Sequence, residues 1–324
     1  MISFDMIRIK SPSRLHMTLV DMNASLGRID GGVGISLDSP NVVISAEKSS
    51  ELLISGESVL RERMELAAKA ILPKGEGISI NIEEDMFPHI GLGSGTQAAL
   101  SAAAAVNELY GLGMSVRELA IKVGRGGTSG IGVASFETGG FIIDAGHKFS
   151  LKGSFSPSSV SKSDPAPILF REDFPDWNIV LAIPDTQGAH DKQEVDMFQQ
   201  YCPVPLTDVR ELSHLILMNM MPAILEKNIQ AFGYSLNHIQ KLGFKKCEVD
   251  LQLQVVKDVI TRMQDSGAAG AGMSSFGPAV YGIVENREDA TYIMEDVQEL
   301  LDNTIGGNVM LTKANNTGAE IKEV

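Results

Sequence analysis

Residues 88–100 read PHIGLGSGTQAAL, in which three glycines, a serine and a threonine stand directly before an alanine-rich helical run. Glycine lets a backbone come close to an anion. A helix N-terminus adds free N–H donors and about half a positive charge. Gly91, Gly93, Ser94, Gly95 and Thr96 are therefore the expected phosphate-binding residues. Gln97, in the first helical turn, is a substrate contact or a helix cap. No lysine follows the glycines, so the loop is not of the Walker A type. It is not a Rossmann turn either, because the preceding strand pattern ends at Pro88 and His89, short of the glycines. The structural alternative is a tight turn into a small-residue helix packed closely on a sheet.

Outward from this loop, strands and helices come in blocks rather than in strict alternation, which favours α+β organisation. Before it, residues 2–54 hold β-like runs, and ISINIEEDM (78–86) alternates with period two. After it, helices are expected over 96–110 and 116–123. Ser115 and Glu118 form a capping box at the start of the second. FIIDAGH (141–147) reads as a strand. The mixed Ser, Pro and Lys stretch 151–168 marks the expected boundary between a lobe at 1–165 and a lobe at 166–324. In the second lobe, NIVLAIP (178–184) reads as a buried strand. Helical patterns cover 209–242, interrupted at Pro222, and 249–264. AVYGIV, a helix near 288–303 and NVMLTKA close the chain.

The formal net charge is −14, and no basic run occurs, which argues against nucleic-acid partners. No run of about 18 apolar residues exists, so no membrane partner is expected. The N-terminal residues lack a signal-peptide layout, and the expected location is cytoplasmic. Cys202 and Cys247 are read as reduced. The expected assembly is a homodimer.

Two further glycine-rich segments follow, GRGGTSGIGVASFETGG (124–140) and SGAAGAGMSSFGPAVYG (266–282). The order of the three resembles the GHMP kinase superfamily, whose loop pattern Pro-x-x-x-Gly-Leu-Gly-Ser-Ser is matched at Gly91, Leu92, Gly93 and Ser94, with Pro88 one residue closer to the glycines than in the pattern. Gly270, Gly272, Ser274 and Ser275 approximate its C-terminal motif. The resemblance implies a two-lobed α+β fold, with an S5-like N-lobe and a ferredoxin-like C-lobe. Several of these kinases carry a catalytic aspartate where this chain has Gly132, and glycine cannot take a proton. RLHMTLVDMNASLGRIDGGVG, GRGGTSGIG, GGFIIDAGH and KANNTGAE resemble one branch in particular, the archaeal β-ribofuranosylaminobenzene 5′-phosphate synthases of methanopterin biosynthesis.

That resemblance implies condensation of phosphoribosyl pyrophosphate with 4-aminobenzoate or 4-hydroxybenzoate, with loss of pyrophosphate and carbon dioxide. It implies Mg²⁺, with ligands left open, and no ATP. An ATP-dependent small-molecule kinase and a non-catalytic phosphometabolite-binding protein are the rival readings. For the synthase, Arg14, His16, Asp21 and Arg28 are the candidate catalytic residues. Arg14 and His16 would share one strand face. Arg28 could grip a carboxylate or phosphate, and Asp21 could serve as proton acceptor, hydroxyl ligand or metal ligand. Arg125, Thr128 and Ser129 join the phosphate-binding set. Asp144, His190, Ser274 and Ser275 join Gln97 as candidate substrate contacts.

Overall fold

The computed structural model describes residues 6–157, 160–186 and 192–324. Two long antiparallel strands begin the chain, β1 (Met6–Asp21) and β2 (Arg28–Ser49). Their pairing is interrupted by bulges between Pro12 and Ser13 and between His16 and Thr18. A bulge adds a residue to one strand and re-aims its side chains. Leu15 and Met17 are fully buried on one side of β1, while Arg14 and His16 project from the other. β3 (Leu52–Ser55), α1 (Arg61–Ile71) and β4 (Gly77–Glu84) follow, then α2 (Ser94–Leu109). The alanine run of α2 is buried against Met64, Ala67, Ala68 and Ile71 of α1 and against Ile44 and Ile80 of the sheet. Small side chains there let helix and sheet approach closely.

α3 (Val116–Lys122) starts at the expected capping box. The Ser115 hydroxyl accepts from the Glu118 N–H, and the Glu118 carboxylate accepts from the Ser115 N–H. α4 (Ile131–Glu137) then forms inside the glycine-rich segment, although glycine disfavours helix. Tertiary packing overrides propensity here: Ile131, Gly132, Val133, Ala134, Ser135 and Phe136 are all buried. β5 (Phe141–Asp144) and β6 (His147–Lys148) pair with β2, α5 (Phe149–Lys152) follows, and β7 (Ile168–Glu172) pairs with β5.

The remaining elements are β8 (Asn178–Pro184), α6 (Lys192–Tyr201), α7 (Leu206–Leu215), α8 (Met221–Leu225), α9 (Ile229–Ile239), α10 (Gly243–Asp250), α11 (Gln254–Asp265), β9 (Gly270–Met273), β10 (Val280–Val284), α12 (Arg287–Asp302), β11 (Gly307–Thr312) and β12 (Glu320–Glu323). A second, antiparallel sheet has the order β11-β8-β10-β9. Its strands alternate with period two. Val180, Ala182, Val280 and Val284 pack against α11 and α12, whereas Ile179, Leu181, Tyr281 and Ile283 face the other way. That second face shares one core with Leu15, Met17, Val33 and Ile35 of the first sheet and with Phe232 of α9, so the lobes are fused.

Two expectations need correction. The division at 165/166 is not clean, because β7 belongs to the first sheet and β12 returns to pair with β1. Pro222 does not break the helical path. It stands just after a π turn at Ile216–Met220, a local widening of the kind that accompanies a lost N–H inside a continuing helix. The break comes later, at Asn228, which caps α9. Both cysteines are free. No helix among the described residues is long and apolar enough to cross a membrane.

Tyr281 is fully buried in the shared core and its hydroxyl has no partner among the described residues. An unsatisfied buried hydroxyl carries a penalty of about 1–3 kcal/mol. Tyr281→Phe is therefore expected to keep or raise the melting temperature. A fall of several degrees in a thermal melt would contradict this.

Candidate active site

A cleft of about 340 Å³ opens at the N-terminus of α2, with Gly91, Gly93, Ser94, Gly95 and Thr96 on its wall. Gly91 and Gly93 take φ of +85° and +78°, a region open to glycine at little cost. No side chain caps α2 and no acidic residue lies in its first turn, so this end is left to a ligand.

Three arginines converge on it: Arg14 from β1, Arg63 from α1 and Arg125 from the turn after α3. The glycines make room for them. A Cβ on Gly95 would collide with the Arg63 guanidinium and lie 2.8 Å from Arg125 Nη2, and one on Gly93 would lie 3.0 Å from Arg14 Nε. Arg14 donates to the Gly91 carbonyl at 2.5 Å. The pKa of Arg14 and that of Arg125 are lowered to about 10, in both cases chiefly by burial and for Arg125 also by the neighbouring Arg63. Both remain charged at neutral pH. Like charges gathered at a helix N-terminus suit a polyanion. Arg63 was not legible as a site residue, because in RERMELAAKAI it reads as an ordinary charge on the solvent face of an amphipathic helix.

A smaller chamber of about 130 Å³ adjoins the cleft and shares Arg14, Glu194, Ser275 and Phe276 with it. His16, Thr128, Ser129 and Glu248 line it on the polar side, Leu19 and Phe198 on the apolar side. His16 is 5% exposed and neither ring nitrogen has a partner among the described residues. Burial, then the charges of Arg14 and Lys245, hold its pKa well below the usual histidine value, so the ring is neutral at physiological pH. Lys245 and Glu248 form a buried pair 2.5 Å apart, and Lys245 Nζ also donates to the carbonyl of Ser275 at 2.9 Å. Burial lowers the lysine and raises the glutamate. Ser274 closes the arrangement. Its hydroxyl donates to the Gly91 carbonyl at 2.7 Å and accepts from the His16 N–H at 2.9 Å.

Arg14, His16, the 91–96 loop, Arg125, Thr128, Ser129 and Ser275 thus come together around two connected cavities. Other candidates do not. Asp21 Oδ1 accepts from the N–H groups of Asn23 and Ala24, at 2.8 and 3.0 Å, shaping the β1–β2 turn. Arg28 donates to the carbonyls of Ala145 and Gly146, at 3.1 and 3.0 Å. Neither lines either of these two cavities, and each holds a turn through backbone partners. Gln97 is fully buried between the Ser11 hydroxyl and the Gly132 carbonyl, at 2.7 and 2.8 Å, and acts on the loop from behind. Asp144 is buried too, accepting from the N–H groups of Gly130 and Gly146, both at 2.8 Å, and from Ser129. It holds the Ser129 turn instead of touching substrate. Ser274 is a fully buried staple and not a contact. His190 lies outside the described residues.

Behind Thr128 sits a buried charge network. Lys152 Nζ donates to Asp30 Oδ2 at 2.9 Å and to the Thr128 hydroxyl at 3.0 Å, and His147 Nδ1 lies 2.6 Å from Asp30. Thr128 is thereby fixed at the chamber wall.

Comparisons with known proteins identify the family and the fold. Residues 58–140 match the GHMP kinases N terminal domain family and residues 220–303 the GHMP kinases C terminal family. The β-ribofuranosylphenol 5′-phosphate synthase of Archaeoglobus fulgidus is 46% identical, covering 98% of this chain and all of that protein. The enzyme of the same name from Methanothermobacter thermautotrophicus is 48% identical, over 96% and 97% of the two chains. In structure, a homoserine kinase from Cytophaga hutchinsonii superposes with a TM-score of 0.71 over 99% of both chains at 17% identity, which shows the shared fold.

Gly95→Ala tests the arginine cleft. The φ of Gly95 is not in the left-handed region and the flexible arginine ends can yield, so the melting temperature is expected to stay within about 2 °C. Pyrophosphate affinity, measured by calorimetry, is expected to fall at least tenfold, about 1.4 kcal/mol. Unchanged affinity would show that the arginines need no such clearance.

Proposed function

The chain belongs to the family of β-ribofuranosylphenol 5′-phosphate synthases within the GHMP superfamily, and on that premise we propose that it joins phosphoribosyl pyrophosphate to a para-substituted benzoate. The acceptor is 4-hydroxybenzoate, in keeping with the phenol in the relatives' name, or 4-aminobenzoate. Pyrophosphate and carbon dioxide leave, and the product is a ribofuranosyl arene 5′-phosphate, an early intermediate of tetrahydromethanopterin biosynthesis.

The ring carbon bearing the carboxylate attacks the anomeric carbon as the bond to pyrophosphate breaks. The carboxylate then departs as carbon dioxide, leaving its bonding pair to restore the aromatic ring. No proton has to be removed from that carbon. One observation carries this reading: three arginines crowd the α2 N-terminus; the resemblance to the kinases adds that Gly132 stands where several of them have a catalytic aspartate. A Cβ at Gly132 would lie 3.2 Å from Thr96 Cγ2, so the site is tight even for alanine. The chemistry asks for electrostatic stabilisation of a leaving pyrophosphate, for which a single well-aimed donor is worth about 3–4 kcal/mol. Arg14, Arg63, Arg125 and the α2 N–H groups supply several.

Mg²⁺ would bind largely through the pyrophosphate. Among the described residues no group of three or more His, Cys, Asp or Glu side chains could hold a metal. Mg²⁺ commonly uses one or two carboxylates plus substrate phosphates, and Glu194 is the carboxylate on the cleft wall. When bound, the ion would neutralise charge on the departing pyrophosphate. A cytoplasmic location fits a phosphorylated intracellular donor. The exposed Leu217, Met218 and Leu225 of the α7–α8 region support pairing with a second copy.

The purified protein, given phosphoribosyl pyrophosphate, carboxyl-labelled 4-hydroxybenzoate and Mg²⁺ without ATP, is expected to release labelled carbon dioxide and pyrophosphate in equal amounts. ATP-dependent phosphorylation of a small alcohol, with no labelled carbon dioxide from either benzoate, would establish a kinase instead.

A further inference from the structure

We propose that the small chamber beside the arginine cleft seats the aromatic acceptor. Its ring would lie against Leu19, Phe198 and Phe276, with its para substituent hydrogen-bonded to His16 and Glu248. The inference rests on the synthase reading and adds to it the acceptor subsite and the residues that recognise the para group.

Size and lining come first. The chamber holds about 130 Å³, a little less than the roughly 150 Å³ of an apolar cavity that takes benzene, so a ring would fill it and its carboxylate would extend into the adjoining cleft. Phe198, Phe244 and Phe276 form one aromatic cluster, with Phe198 and Phe276 centroids 6.1 Å apart and Phe198 and Phe244 centroids 4.7 Å apart. An edge or face of a substrate ring can extend such a cluster favourably.

The polar end is incomplete without a ligand. His16 is buried with both ring nitrogens unpartnered, and buried polar atoms are seldom left so. The neutral imidazole offers one acceptor and one donor. Glu248 pairs with Lys245 through Oε2 and also lines the chamber wall. A para O–H or N–H would meet two acceptors here. Lys245, held by the carbonyls of Met273 and Ser275, acts as a positioning residue for Glu248.

This placement serves the reaction as well as binding. The ring carbon that attacks lies para to the substituent, and its nucleophilicity grows as the O–H or N–H bond is drawn toward an acceptor. The proton is shared with Glu248 or His16 during attack and stays on the product. The carboxylate end would point toward Arg14, where chamber and cleft meet.

The test compares binding of 4-hydroxybenzoate and unsubstituted benzoate by calorimetry, with pyrophosphate binding as a control for the fold. Wild-type protein is expected to favour 4-hydroxybenzoate at least tenfold. In His16→Asn and Glu248→Gln that ratio is expected to fall below about threefold, with pyrophosphate affinity unchanged. Leu19→Phe, which narrows the chamber without touching the ion pair, is expected to abolish acceptor binding and spare pyrophosphate. A preserved ratio in folded variants, or weakening confined to pyrophosphate, overturns the assignment. Wild-type protein that shows the tenfold preference but releases no carbon dioxide supports the chamber and overturns only the synthase reading.

Discussion

The Ser274 hydroxyl is the joint on which the site depends. It donates to the Gly91 carbonyl and accepts from the His16 N–H, tying the phosphate loop, β1 and the second lobe at one atom. Two backbone bonds reinforce it, from the Arg14 N–H to the Leu92 carbonyl and from the Ser275 N–H to the His16 carbonyl. Because the lobes also share one apolar core, the cleft between them has little freedom to open as a rigid-body hinge. The loop glycines, Arg14 and His16 are therefore preorganised relative to one another before any substrate arrives, the condition under which electrostatic stabilisation is most effective.

Within this frame the site divides by chemistry. Toward α2 lie three arginines and a helix N-terminus, a surface for anions in a chain whose net charge is −14. Local charge overrides the global field at such short range. Toward α6 and α10 lie an aromatic cluster, a neutral histidine and a buried ion pair. The two halves match the two partners of a condensation between a sugar pyrophosphate and an aromatic acid.

Legibility from sequence followed locality. The phosphate loop, the Ser115 capping box and the shared strand face of Arg14 and His16 all rest on neighbours within a few residues, and each has the predicted geometry. What was not legible depends on contacts far along the chain. Arg63 reaches the loop from a helix that reads as solvent-facing, and Lys245 and Glu248 sit in GFKKCEVD, which looks like surface charge but is buried beneath the Ser275 turn. Asp21 and Arg28 stood out because charged residues cluster in that hairpin, yet their partners are backbone groups of the turns they hold. The helix α4 was hidden by the glycines around it and by Gly132 within it, which is tolerated because α4 packs directly on Thr96 and the sheet.

The most direct test is a crystal structure of the protein with phosphoribosyl pyrophosphate bound. The pyrophosphate is predicted to lie at Gly93, Ser94, Gly95 and Thr96 with Arg14, Arg63 and Arg125 around it, and the anomeric carbon is predicted to face the His16 chamber. A complex with the 5′-phosphate at the α2 N-terminus, and the pyrophosphate away from the three arginines, would contradict the account.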